Sequence, residues 1–249
     1  MTDWAARLED EKANLASRVK AARSFYDREG ARLQRYHGGM PVGFLAAIAQ
    51  WESGGKMTAG DAGLGEYGYF QVAGDVPPKF GVHADVRRTE EGNIFLACLE
   101  YQVEAFKVQF ANVDVVANGS EDQWKLARLA FAIGAPGTRR LIQLARDAGL
   151  VHGPGLYNAL RNYVNTHEPP ELGSQSPGKV WFRVHAVDLL WQVGQEVLGG
   201  WPGVPVRIPA FVPYSLPAGI NLPAAAGLGA LLAVALAAGA AFMLRRMTS

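Results

Sequence analysis

Residues 41–72, PVGFLAAIAQWESGGKMTAGDAGLGEYGYFQV, decide how the chain is read. Pro41 stands where a first helical residue tolerates the missing amide hydrogen, and the run from Val42 to Trp51 is apolar nearly all round. Such a helix has to be buried on every side. It ends in a carboxylate, Glu52, followed by a glycine-rich turn and the aromatic cluster Tyr67, Tyr69 and Phe70. Loss of solvation and the negative end of the helix dipole both disfavour a charged carboxylate at this place. The position therefore suits a general acid that must hand a proton to a glycosidic oxygen. The glycine turn leaves room for a polymeric substrate, and the aromatic faces are of the kind on which sugar rings pack. EYGYFQV, residues 66–72, alternates in the manner of a short strand or tight hairpin.

Outward from this stretch, residues 2–37 are highly charged, with Trp4, Leu8, Leu15, Val19, Tyr26, Leu33 and Tyr36 at near-helical intervals. They predict one or two amphipathic helices over 1–38, packed on the main domain or paired with a second copy in a short coiled coil. Residues 89–110, 121–133, 137–149, 155–166 and 178–198 also carry helix periodicity. No βα pattern recurs, so the expected class is mainly α, an α+β arrangement with one small β-hairpin, and the main domain spans 39–198. Beyond it lie a proline-rich spacer, 199–222, an uncharged run, 223–244, and a short basic tail, 245–249. The uncharged run reaches about 33 Å as a helix, enough to cross a bilayer core. It predicts a single transmembrane helix, with an Ala235–Gly239 spacing that would let two copies associate.

Composition excludes several functions. The chain has 249 residues and a formal charge of +1, so no nucleic-acid partner is implied. The basic positions Lys125, Arg128, Arg139, Arg140 and Arg146 fall at helical spacing and read as a solvated face. The histidines at 37, 83, 152, 167 and 185 are scattered and the single cysteine, Cys98, has apolar neighbours, so neither a metal nor another cofactor is expected. GGKMT around Lys56 lacks the glycine and the hydroxyl residue of a phosphate loop, since Gln50 and Met57 hold those places.

Glu52-Ser53 at the end of a buried helix, with Gly68-Tyr69-Phe70-Gln71-Val72 shortly after it, resembles the first two motifs of the lytic transglycosylases, whose catalytic domain is goose-type-lysozyme-like. Asn93-Ile94 followed by Tyr101 resembles their third, with Ala97 in place of a glycine. Ala130-Phe131-Ala132-Ile133-Gly134 resembles the fourth only loosely, lacking its tyrosine and asparagine. The similarity covers residues 40 to about 165. It implies that Glu52 protonates the oxygen between N-acetylmuramic acid and N-acetylglucosamine, then takes the proton of the muramic C6 hydroxyl, which closes a 1,6-anhydro ring. It further implies substrate-binding roles for Ser53, Tyr67, Gly68, Tyr69, Phe70, Gln71, Tyr101 and Phe131. Asp61 and Glu66 keep hydrolysis open, since either could hold a water as a second carboxylate. A wall-binding protein without activity is a third reading, favoured by the weak fourth motif.

The implied partners are peptidoglycan strands and, through 223–244, a lipid bilayer. The first residues are too charged for a signal peptide, whereas Arg245 and Arg246 place the tail on the inner side and the domain on the wall side. A virion membrane that delivers the enzyme at infection reconciles the two, and a bacterial envelope protein inserted by its tail is the alternative.

Overall fold

The computed structural model describes residues 3–198 except 61–64, 153–154 and 174. The expected spacer, transmembrane helix and basic tail lie outside the described residues. Among the described residues, no helix is long and apolar enough to cross a membrane.

The protein is mainly helical. Its helices are α1 (Trp4–Ala13), α2 (Leu15–Tyr36), α3 (Val42–Ser53), α4 (Val76–Lys79), α5 (Glu90–Ala111), α6 (Glu121–Ile133), α7 (Ala135–Asp147), α8 (Leu156–Thr166) and α9 (Pro177–Val197), with a 3₁₀ turn at Ala84–Arg88. Several begin on a side-chain cap. Thr89 accepts from the Gly92 amide at 3.0 Å, Ser120 from Gln123 at 3.2 Å and Ser176 from Lys179 at 3.4 Å. α3 ends at Gly54, whose φ of +65° lets the chain turn away.

Every residue of α3 from Val42 to Ala49 is buried. α2 and α9 cover it, and α9 comes so close that a Cβ on Gly43 would lie 2.2 Å from the Gly194 carbonyl oxygen. Only glycine fits at that crossing. Phe44 and Trp191 pack edge to face beside it, with ring centroids 4.9 Å apart. α2 is part of the same core through Phe25, Leu33 and Tyr36, so the N-terminal helices pack on the main domain along a continuous apolar face. α5 and α6 form a second layer against α2 and α9.

The expected β-hairpin is not formed. Among the described residues the loop after α3 carries only isolated bridges, Ala59 to Tyr67 and Tyr67 to Val72. The chain reverses within four residues, with Gly68 at φ +83° and Gln71 at φ +51°. Tyr69 and Phe70 are both buried although adjacent, unlike neighbours on a strand with one face in water.

Buried Asn93, on α5, replaces the missing ladder. Its amide accepts from the Phe70 N–H at 3.1 Å and donates to the carbonyls of Tyr67 at 2.8 Å and Arg87 at 2.9 Å. It comes so close that a Cβ on Gly68 would lie 2.2 Å from its nitrogen. Replacing Asn93 with Ala leaves the buried Phe70 N–H without its acceptor and takes a donor from the part-buried carbonyls of Tyr67 and Arg87, and the expected loss is about 2–3 kcal/mol. Urea unfolding monitored by circular dichroism measures it, and Asn93→Asp should recover only part.

Candidate active site

Glu52 is the next-to-last residue of α3, and its side chain remains 18% exposed. Its carboxylate contacts the guanidinium of Arg128, which projects from α6 and is only 2% exposed. The Tyr101 hydroxyl accepts from Nη1 of the same guanidinium at 3.4 Å. Beside it lies the Phe131 ring, 5.4 Å from the Arg128 carbon and tilted against Tyr101 with ring centroids 5.2 Å apart. Four elements of the proposed motifs thus converge: Glu52, Tyr101, Phe131 and the loop described next.

Arg128 corrects the reading of the basic run. Lys125 and Arg128 are buried, and only Arg139 and Arg140 are exposed as a solvated face requires. Lys125 pairs with Glu121 at 2.5 Å and with Asp188 of α9 at 2.6 Å, while Arg146 pairs with Asp114 at 3.1 Å. α6 is enclosed by α5, α7, α8 and α9, so its polar side chains find partners across the packing rather than in water. Arg183, on α9, is a further cation that the sequence reading missed. Burial lowers its proton affinity most, and the neighbouring Arg128 adds to that, while Glu52 and Glu66 pull the other way.

The Ser53 hydroxyl lies 2.9 Å from the Tyr69 carbonyl and 3.1 Å from that of Ala49, as donor, and accepts from the Lys56 amide at 3.2 Å. It fastens the end of α3 to the loop and has no need of a sugar to satisfy it. Gln71 is buried too. Its amide donates to the Gly68 carbonyl at 2.6 Å and to that of Thr58 at 3.3 Å, which holds its own left-handed backbone in place.

Tyr69 and Phe70 are not sugar platforms. Tyr69 packs edge to face on Phe25 at 5.0 Å, and its hydroxyl donates within 3.0 Å of buried Glu29 and 3.1 Å of Glu90. Burial and then Glu29 push its phenol far above the ordinary range. Phe70 and Gly68 are likewise enclosed, and Tyr101 is fully buried behind Phe131. Of the residues expected to touch substrate, Ser53, Tyr67 and Phe131 retain partial exposure. Asp61 lies outside the described residues.

A cleft of about 310 Å³ opens beside this cluster, bordered by Glu66, Gln71, Ala130 and Phe131. Asp75 and Lys79 of α4 and Glu100 and Glu104 of α5 complete its polar wall. Asp75 holds Lys79 at 2.8 Å, and Glu104 holds Lys107 at 2.7 Å. Glu100 is different. It forms no ion pair among the described residues, its Oε2 like that of Glu104 is enclosed with no hydrogen-bond partner among them, and burial raises its proton affinity to a pKa of about 7. Among the described residues, no group of three or more His, Cys, Asp and Glu side chains could hold a metal ion.

The ordinary value for a glutamate is 4.5, so the folded chain retains the Glu100 proton where the unfolded chain has released it. Glu100 therefore contributes stability below pH 4.5 that is lost as the pH rises through about 7. The midpoint of thermal unfolding should fall between pH 5 and about pH 8, and Glu100→Gln should flatten that slope. No protein-family model matches the chain, and no curated protein or solved structure matches it either, so what this site does has to be argued from its own residues.

Proposed function

We propose that the chain is a peptidoglycan lytic transglycosylase with a lysozyme-like catalytic domain. The observation that carries the reading is the bond between Ser53 and the Tyr69 carbonyl, 2.9 Å long across a separation of 16 residues. It joins the two segments that resemble the family's Glu-Ser and Gly-x-x-Gln motifs, and it leaves the Glu52 carboxyl at the edge of solvent. The cleft bordered by Gln71 and Phe131 supplies a groove for a glycan strand.

In this reading the bond cut is the β-1,4 link between N-acetylmuramic acid and N-acetylglucosamine. The muramic C6 hydroxyl attacks the anomeric carbon and gives up its proton to Glu52, and the product carries a 1,6-anhydro ring. The nucleophile belongs to the substrate. Glu52 holds Arg128 in the resting chain, so productive binding has the substrate take that guanidinium's place at one carboxylate oxygen. Glu66, which borders the cleft and acts electrostatically on Arg183 together with Glu52, favours hydrolysis as the second reading. Residues 223–244 would anchor the domain on the wall side of a bilayer, in a bacterial envelope or in a virion that opens the wall during infection.

Glu52→Gln should abolish release of muropeptides from purified sacculi, because the amide cannot exchange a proton. Its oxygen still accepts from Arg128, so the circular dichroism spectrum should be retained. Digestion in oxygen-18 water settles the product: anhydro ends carry no label, whereas label at the muramic C1 establishes hydrolysis. After alkaline carbonate extraction the full chain should stay with membranes, and a chain ending near residue 198 should be soluble and active.

A further inference from the structure

We infer that an exposed stripe on α5, formed by Phe106 and Phe110 with Val113 just beyond the helix, is the docking surface for a segment of this same chain, the proline-rich residues 199–222. It holds whether or not the chain cuts glycans.

Among the described residues the exposed large apolar side chains are these three, at 44%, 37% and 55% of full exposure. Phe106 and Phe110 stand one helical turn apart and stack, with ring centroids 5.9 Å apart and planes 18° from parallel. The other side of α5 turns Tyr101, Ala105 and Val108 into the core. Apolar residues scattered singly over a surface need no explanation, whereas a group of them on one rigid helix marks a place of contact.

The position of the stripe names its occupant. The Gln102 side-chain amide donates to the Tyr36 carbonyl at 3.2 Å, where α2 turns toward α3. Phe106 lies one turn of α5 beyond Gln102 and Phe110 two turns. The start of α3 also meets the end of α9, since a Cβ on Gly43 would lie 3.2 Å from Cγ of Leu198. Residue 199 therefore follows on from the end of the protein at which the stripe begins. From Gln102 to Phe110 is about 12 Å along the helix, which a few residues of proline-rich chain span at about 3.1 Å each.

The chemistry agrees. Prolines 202, 205, 209, 213 and 217 recur every third or fourth residue, with Trp201, Val204, Val206, Phe211 and Tyr214 between them. A sequence of this kind favours the polyproline II conformation, loses little freedom on docking, and is recognised by exposed aromatic rings. Arg207 is the only charged residue from 199 to 222, so docking removes little charge from water. Beside the stripe Glu104 pairs with Lys107 at 2.7 Å and Asp114 with Arg146 at 3.1 Å. That balance lacks the excess of cations by which a helix is drawn to an anionic bilayer. A tethered segment also has an advantage over a second copy, because its local concentration is set by the tether.

The test uses the full-length chain in detergent and again in bilayer nanodiscs, with p-benzoylphenylalanine in place of Phe106. Ultraviolet light should join it to a peptide within 199–222 while the chain keeps the mass of a monomer, and the same group in place of exposed Arg139 should not. Trypsin should cut slowly after Arg207 in the wild-type chain, and about tenfold faster or more in Phe106→Ser/Phe110→Ser, because cleavage follows the population of the undocked segment. Both rings are exposed, so the circular dichroism spectrum should be retained. If the double variant does not fold, Phe106→Ser and the crosslink decide in its place. Crosslinks that join two chains assign the stripe to a second copy, and crosslinks to lipid alone assign it to the membrane. Either result overturns the inference, as does a tryptic rate at Arg207 that the substitutions leave unchanged.

Discussion

The backbone contact between Gly43 and Gly194 sets the depth at which α3 lies in the protein. Because neither residue has a side chain at the crossing, α9 rests directly on α3, and α2 packs on both. A helix enclosed in this way presents only its end to solvent, and that end carries Glu52 and Ser53. The candidate site exists where it does because α3 has no other free surface. A larger residue at either glycine would push the two helices apart and loosen the packing that fixes where the Glu52 carboxyl emerges.

Around that end the protein assembles charge with few waters' worth of room. Arg128 and Arg183 bring two guanidiniums toward Glu52, and both have an enclosed Nε without a hydrogen-bond partner among the described residues. Incompletely satisfied buried cations are costly. The acidic wall of the cleft has the opposite character, with Glu100, Glu104, Asp75 and Glu66 along one groove. Negative and positive surroundings thus meet at Phe131.

How much of this could be read from residues alone depends on which interactions are local. The burial of α3 was legible because apolar residues occupy all its faces, and α5 through α9 because helix periodicity marks them. The approach of Glu52-Ser53 to Gly68–Val72 was legible as a motif spacing. Arg128 was not, because its partner lies 76 residues away and nothing in the α6 sequence distinguishes a buried arginine from a solvated one. Glu100 was missed for the same reason: it sits in an apolar helix, and only the docking of α4 and α6 makes a cleft of the surface it occupies. Tyr69 and Phe70 were misread because an alternating aromatic pattern predicts a strand, whereas Asn93 draws the loop into the core and buries neighbours together.

Glu29 ties the two ends of this architecture to one another. It is 1% exposed on α2, receives Arg28 and Arg32 from its own helix, and accepts the Tyr69 hydroxyl from the loop beside the site. Tyr69 also reaches Glu90 at the start of α5, and Arg32 reaches the same carboxylate at 2.8 Å. The loop that joins the two motif-bearing segments is therefore clamped to the second helix of the chain. The smallest unit that keeps these bonds begins with α2 and not with the motif-bearing segment after it.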